Sequence, residues 1–185
     1  MRTVSRAPEL LVVGDYVVRK YEEDDASALM RAVTESLDHL LPWMPWAKFE
    51  PQSVEQRKAL IREWDAEWRN HSNFVMGIFK GERVVGGTGF HLRGDNGSIE
   101  IGYWLHVDFV GQGIAVQVTS ALTKCAFATW PEISVVEIVH DQANKNSRRI
   151  PESLGFLLVD QYERVAEAPG EVGVCMRWHM TREGS

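Results

Sequence analysis

A run of small residues, Val110-Gly111-Gln112-Gly113-Ile114-Ala115, stands between a strand-like stretch over 100–106 and a helical stretch over 113–129. The stretch after that, 133–140, reads as a buried strand. A strand–helix–strand series in one sheet requires a parallel strand pair, and such crossovers have essentially one hand. The turn therefore constrains the layout of everything around it. Its chemistry is equally restrictive. Small residues at 111, 113 and 115 leave backbone N–H groups uncovered where a helix begins, and free amides and the helix dipole there both favour an anion. Glycine admits close approach to the main chain and dihedrals closed to other residues. A diphosphate fits such a turn.

Other elements follow from local patterns. Leu10–Val13 and Tyr16–Lys20 are short β-type runs parted by Gly14-Asp15, an opening strand preceded by a hairpin arm. Asp24 or Asp25 caps a helix running to about Leu40. Two prolines in Leu41-Pro42-Trp43-Met44-Pro45-Trp46 exclude a regular helix there. Ser53-x-x-Gln56 is a capping box. It opens a helix with Leu60, Trp64 and Trp68 on one face. Strands over 74–80 and 83–92 flank a Gly81-Glu82 turn. Asp95-Asn96-Gly97 then turns the chain into a strand over 98–106. The helix after the glycine turn carries Ile114, Val118, Ala121, Leu122 and Cys125 on one stripe. A short helix over Lys145–Leu154 ends at Gly155, and strands near 157–163 and 173–180 close the series. The order β-α-α-β-β-β-α-β-α-β-β describes an α/β layered domain with one central mixed sheet. At 185 residues the chain is expected to form one domain, 1–185, and is long enough for a sizeable core.

Competing phosphate motifs fit poorly. No Gly-Lys-Ser/Thr follows the turn, which argues against a nucleotide-triphosphate loop. Val116 spoils the third small position of a dinucleotide fingerprint, and residues 107–110 separate the turn from its strand. A formal charge of −6 argues against general nucleic-acid binding and favours a cationic or amine-bearing substrate. Cys125 and Cys175 read as buried thiols, not nucleophiles or ligands. No stretch approaches the roughly 20 apolar residues of a membrane span. The first residues do not read as a secretion signal, so the expected location is the cytoplasm. The six histidines show no metal-ligand spacing, and no metal is expected.

Glu100-Ile101-Gly102-Tyr103-Trp104-Leu105, then Gly111-Gln112-Gly113-Ile114-Ala115, then Asn144-x-x-Ser147-x-x-Ile150-x-Glu152-x-Leu154-Gly155-Phe156, together with the Pro-Trp-Met-Pro-Trp segment at 42–46, resemble the GNAT-fold N-acetyltransferases. The branch is the one that includes enzymes acetylating N-terminal amines of ribosomal proteins. The resemblance runs from about Tyr16 to His179, within a core of about 16–180. It implies a mostly antiparallel central sheet with a splayed parallel strand pair and helices on both faces. It also implies acetyl-CoA as donor and a primary amine as acceptor, either a protein N-terminus or a small molecule. Neither nucleic acid nor membrane is an expected partner, and a homodimer is compatible. The alternative is a non-catalytic acyl-CoA-binding or sensing domain.

The resemblance also assigns candidate roles. Pantetheine lies between the strands over 98–106 and 133–140, against the backbone of Leu105, His106 and Val107. The diphosphate rests on Gly111, Gln112, Gly113, Ile114 and Ala115. Asn144 and Ser147 also reach the donor. Many family members use a tyrosine as the acid toward the departing thiolate; that position here is Pro151, which has no proton to give. Ser147, one turn earlier on the same face, is the candidate acid. Because Pro151 also removes a backbone donor, a kink is expected near 147–151. Glu100 is the candidate base: alternation puts it opposite Ile99 and Ile101. His140 is the second choice for base and a candidate acceptor contact. Trp43 and Trp46 would wall the acceptor pocket, and Glu35 would attract its ammonium group.

Overall fold

The computed structural model describes residues 7–93 and 97–184. Asp95 and Asn96 of the expected turn lie outside the described residues. Among the described residues, eight strands form one sheet: β1 (Leu10–Val13), β2 (Tyr16–Lys20), β3 (Asn73–Lys80), β4 (Arg83–His91), β5 (Ser98–Leu105), β6 (Val135–Asp141), β7 (Leu157–Glu163) and β8 (Val174–Thr181). Their order is β1-β2-β3-β4-β5-β6-β8-β7. All neighbours are antiparallel except β5 and β6, which are parallel. The single parallel pair is the one bridged by the helix after the glycine turn, as the crossover requires.

Helices cover both faces. On one, α1 (Ala26–Glu35), α2 (Leu37–Leu40) and α3 (Val54–Arg69) pack Leu29, Val33, Leu40 and Ile61 with Phe79 and Val84 of the sheet. On the other, α4 (Ile114–Thr129) buries Ile114, Val118, Leu122 and Ala126 against Phe74, Met76, Ile78, Ile99 and Ile101. The α5 helix (Lys145–Leu154) packs beside α4. Among the described residues no helix is long and apolar enough to cross a membrane.

Several local expectations hold in detail. Ser53 Oγ accepts from the Gln56 N–H at 3.2 Å, and Gln56 Oε1 from the Ser53 N–H at 2.8 Å. Gly155 ends α5 in the left-handed region, with φ 79°. The first helix differs. Neither Asp24 nor Asp25 caps it through its side chain; a 3-10 turn over Glu23–Asp25 precedes it, boxed by Glu22 and Asp25. Asp25 instead grips Arg19 at 2.7 and 2.8 Å. The helix then breaks at Ser36, separating α1 from α2. Along α3 the residue fully buried between Arg57 and Trp68 is Ile61, while Leu60 turns toward a cavity. Cys175 is buried and Cys125 half-buried, and burial pushes both thiols above their ordinary range.

Candidate active site

The parallel ladder between β5 and β6 is short. Ser98, Ile99 and Glu100 pair with Val135, Val136 and Glu137, and there it stops. Both strands continue, β5 to Leu105 along β4 and β6 to Asp141 along β8. Each is held on its outer side, so their inner edges part beyond Glu100 and Glu137. The His106 N–H bonds the Val85 carbonyl at 2.9 Å. By the alternation of an antiparallel ladder, Tyr103 and Leu105 therefore turn their own N–H and C=O groups toward the gap. His106 and Val107 do not serve in the same way. The His106 amide is taken by β4, and the Val107 N–H donates to Ser36 Oγ at 3.0 Å. Of the three expected pantetheine contacts, Leu105 alone keeps its main chain on the opening.

The glycine turn lies where β5 hands over to α4. Gly111 and Gly113 both adopt φ 75°, and Gly113 is the N-cap residue of α4, with no side chain capping the helix. A Cβ on Gly111 would meet nothing within 4 Å, and one on Gly113 only Gln117 Nε2 at 3.8 Å. The protein leaves this space open, and the first N–H groups of α4 have no intrahelical partners. Gln112 folds back, its Nε2 donating to the Asp108 carbonyl at 2.9 Å. These features suit a bound diphosphate.

Across the gap, Asn144 caps α5: its Oδ1 accepts from the Ser147 N–H at 3.0 Å. The α5 helix runs uninterrupted through Pro151, from Lys145 to Leu154. Pro151 cannot donate to the Ser147 carbonyl, and the Tyr103 hydroxyl does so instead, at 3.2 Å. The same hydroxyl lies 3.1 Å from Ser147 Oγ. Burial pushes the Tyr103 phenol far above its usual value, and the hydrogen bond with Ser147 opposes this.

A cavity of about 770 Å³ opens through the sheet at this point, and Glu100, Tyr103, Trp104, His140, Asn144 and Ser147 line it. Ile99 and Ile101 are buried in the α4-side core, so Glu100 faces the side of α1–α3. Its side chain is 16% exposed and lies 3.7 Å from Arg93. Burial raises the Glu100 carboxyl above the usual range; Arg93 opposes this and Glu137, its neighbour across the ladder, adds to it. His140 is differently occupied. Its Nδ1 lies 2.8 Å from the Asp141 carbonyl and its Nε2 accepts from Trp178 Nε1 at 3.0 Å. A carbonyl only accepts and an indole N–H only donates, so both ring nitrogens are engaged and the imidazole is neutral. Burial lowers its pKa further. No lone pair is left for His140 to act as base.

The wall above Glu100 is built by two segments. Trp43, Met44 and Trp46 line the cavity, with Trp46 edge-on to Trp104 at 6.0 Å between centroids. Buried Glu50 and Arg57 form an ion pair that ties this segment to α3. The second segment, 164–173, brings Arg164, Glu167 and Glu171 to the same cavity. Glu171 bonds Arg164 at 2.6 Å and accepts from the Glu167 N–H at 2.7 Å. The Gly170 N–H donates to the Pro42 carbonyl at 2.9 Å, joining the two segments. Glu35 is elsewhere. It accepts from His106 Nε2 at 2.8 Å and lies 3.8 Å from Arg83, outside the cavity lining. Its carboxylate pins the end of β5 and does not face an acceptor amine.

Sequence reading missed Tyr103 and Trp104, His91 beside Glu100, and the 164–173 segment. His91 pairs with Glu100 in register, and burial lowers its pKa to about 4, so it too is neutral. The alternation that selected Glu100 also carries Trp104 on the same face. For the other residues no local signal exists, because they meet the site only through the fold.

A family model described as the acetyltransferase (GNAT) domain matches residues 16–157. The Bacillus subtilis (strain 168) protein named "Putative ribosomal N-acetyltransferase YdaF" is 28% identical over 141 residues, 76% of either chain. Among solved structures, the microcin C7 self immunity acetyltransferase MccE, in complex with acetyl-CoA and AMP, has a TM-score of 0.85 at 19% identity, covering 96% of this chain and 99% of that one. RimL, a ribosomal L7/L12 alpha-N-protein acetyltransferase in complex with coenzyme A, has a TM-score of 0.83 at 20% identity, covering 96% and 100%. Those two likenesses establish a shared fold.

Proposed function

Because the chain belongs to the GNAT acetyltransferase family, we propose that it moves the acetyl group of acetyl-CoA to a primary amine, with a peptide N-terminus as the acceptor it suits best. The observation that carries this reading is the parting of β5 and β6 after Glu100 and Glu137, with the uncapped α4 entrance beyond it. Gly111 to Ala115 would take the diphosphate, and the main chain of Tyr103 and Leu105 would meet the amide-bearing pantetheine. Fold neighbours solved with acetyl-CoA and with coenzyme A support a ligand of this kind. The names of YdaF and RimL support a peptide acceptor.

An alkyl ammonium must lose a proton before it attacks (the lysine reference is about 10.4). Glu100 is the acceptor of that proton, directly or through one water. Its burial makes it a better base than an exposed carboxylate. Attack forms the C–N bond and breaks C–S, leaving the electron pair on sulfur. Of the two protons nitrogen gives up, one ends on sulfur and one in solvent. Ser147 Oγ–H offers a hydrogen bond to the departing sulfur. A thiolate is a modest base (reference about 8.5), so a hydrogen bond suffices without outright proton transfer. Trp43, Trp46 and Trp104 shield the amine. Neither cysteine stands as a nucleophile, so the amine attacks directly.

Free-thiol release from acetyl-CoA, measured against short peptides with free or blocked N-termini and against small amines, tests the proposal. Release is expected with free α-amines. Ser147→Ala should lower kcat and leave the acetyl-CoA KM nearly unchanged. Tight acetyl-CoA binding without thiol release for every amine would overturn catalysis in favour of a sensing domain.

A further inference from the structure

Within α5 the proline at 151 subtracts the donor that the Ser147 carbonyl needs, four residues before it. The missing hydrogen bond is supplied across the gap by Tyr103 of β5. That hydroxyl also reaches Ser147 Oγ, at 3.1 Å. One proton thus faces two acceptors on a single residue. While it points at the carbonyl, the Tyr103 oxygen can accept the Ser147 hydroxyl proton, holding it away from the cavity. When it turns to Oγ, the Ser147 proton is released toward the cavity.

We propose that Tyr103 is the positioning residue of Ser147: its hydroxyl fixes the serine rotamer and, by turning from the carbonyl to Oγ, aims the serine proton at the departing sulfur. This rests on the reading that Ser147 faces the thioester sulfur. Tyr103 gives up no proton in the cycle. Its hydroxyl lies in a buried environment that resists ionisation, so it acts as a rotor. The tyrosine that Pro151 displaces from α5 is in this sense replaced from the neighbouring strand, with Ser147 interposed.

Steady-state kinetics on Tyr103→Phe, Ser147→Ala and the double variant test this. Phenylalanine keeps the ring and its packing. Tyr103→Phe should lower kcat about five- to tenfold, the size of one hydrogen bond, with the acetyl-CoA KM within about twofold. In the Ser147→Ala background the same change should do nothing to kcat. A third variant, Tyr103→Phe with Pro151→Ala, restores a backbone donor to the Ser147 carbonyl. It should recover the melting temperature and leave kcat low. Full recovery of kcat by Pro151→Ala would reduce Tyr103 to a prop for the helix and overturn the proposal. Additive losses in the Ser147→Ala background would overturn it too, while leaving Ser147 itself in place. Full activity in Ser147→Ala would remove both readings at once.

Discussion

Replacing Gly113 by alanine adds one methyl group at φ 75°, in a direction where the protein offers nothing closer than Gln117 Nε2 at 3.8 Å. The effect on the fold and the effect on the ligand therefore separate. A left-handed conformation costs an alanine about 1–2 kcal/mol. Against a folding free energy of about 5–15 kcal/mol, that leaves the native state populated. For a chain of this size the melting temperature should fall by about 2–8 °C. The ligand loses more. A methyl at the N-cap pushes a diphosphate off the first amides of α4, and a hydrogen bond to a charged group contributes about 1.5–3 kcal/mol. The acetyl-CoA dissociation constant should rise about 10- to 150-fold. Titration calorimetry with two donors isolates the cause: acetyl-CoA should weaken, whereas S-acetylpantetheine, which has no diphosphate, should bind as before. Gly81→Ala is the control. It sits at φ 58° in the β3–β4 turn with nothing within 4 Å of its Cβ, so it should cost similar stability and no affinity. Unchanged acetyl-CoA affinity in Gly113→Ala, or equal loss of both donors, would refute the placement of the phosphates.

Glu100→Gln should abolish most turnover yet raise the melting temperature at pH 7. The folded Glu100 carboxyl sits above its ordinary value, so its contribution to stability is present below the unfolded pKa and lost as pH rises through the folded one. Glutamine removes the cost of the buried charge, and the difference in melting temperature should vanish near pH 4. Asp141→Asn should behave oppositely. Burial pushes this carboxyl up, but N–H groups of Ala143, Val172, Gly173 and Val174 together bring it below the usual range. Its stabilisation is present above the unfolded pKa and lost as pH falls through the folded one. At pH 7 the substitution should cost about 1–3 kcal/mol by chemical denaturation, converging with wild type in acid. Gly170→Ala places a Cβ 2.6 Å from the Pro42 carbonyl oxygen and should part the 164–173 segment from Pro42. The acceptor KM should rise about fivefold, one hydrogen bond's worth, with acetyl-CoA affinity intact. An unchanged acceptor KM would mean that this junction does not shape the acceptor pocket.

What the sequence reveals about this chain is what neighbouring residues decide among themselves. The Ser53–Gln56 box, the Asn144 cap and the Gly155 stop are contacts within one turn of helix, and each is present. The crossover, too, is local: strand, glycine turn, helix, strand leaves no choice but a parallel pair. The misreadings are of another kind. Ser36 breaks the first helix and gives its Oγ to the Val107 amide, 71 residues away. Glu35 serves His106 at the same distance along the chain. His140 has both nitrogens bound by a carbonyl and by a tryptophan 38 residues on. In each case the side chain was available as far as its own segment could show, and a distant segment had taken it.

The same division explains where the site sits. Alternation places Glu100 on one face of β5 and Tyr103 on the other, among core residues. In a continuous sheet those faces would never communicate. They do here because the β5–β6 ladder ends at the residue that carries the carboxylate. The Glu100 side chain stands off the sheet face at this last rung and stays mostly buried, which raises its carboxyl pKa. Tyr103, three residues beyond, stands at the open edge within reach of α5. The donor that Pro151 withholds from Ser147 is restored there by a residue from the other side of the opening. The chemistry therefore depends on the length of one ladder, and a substitution that lengthened the β5–β6 pairing should silence the protein without touching a reactive group.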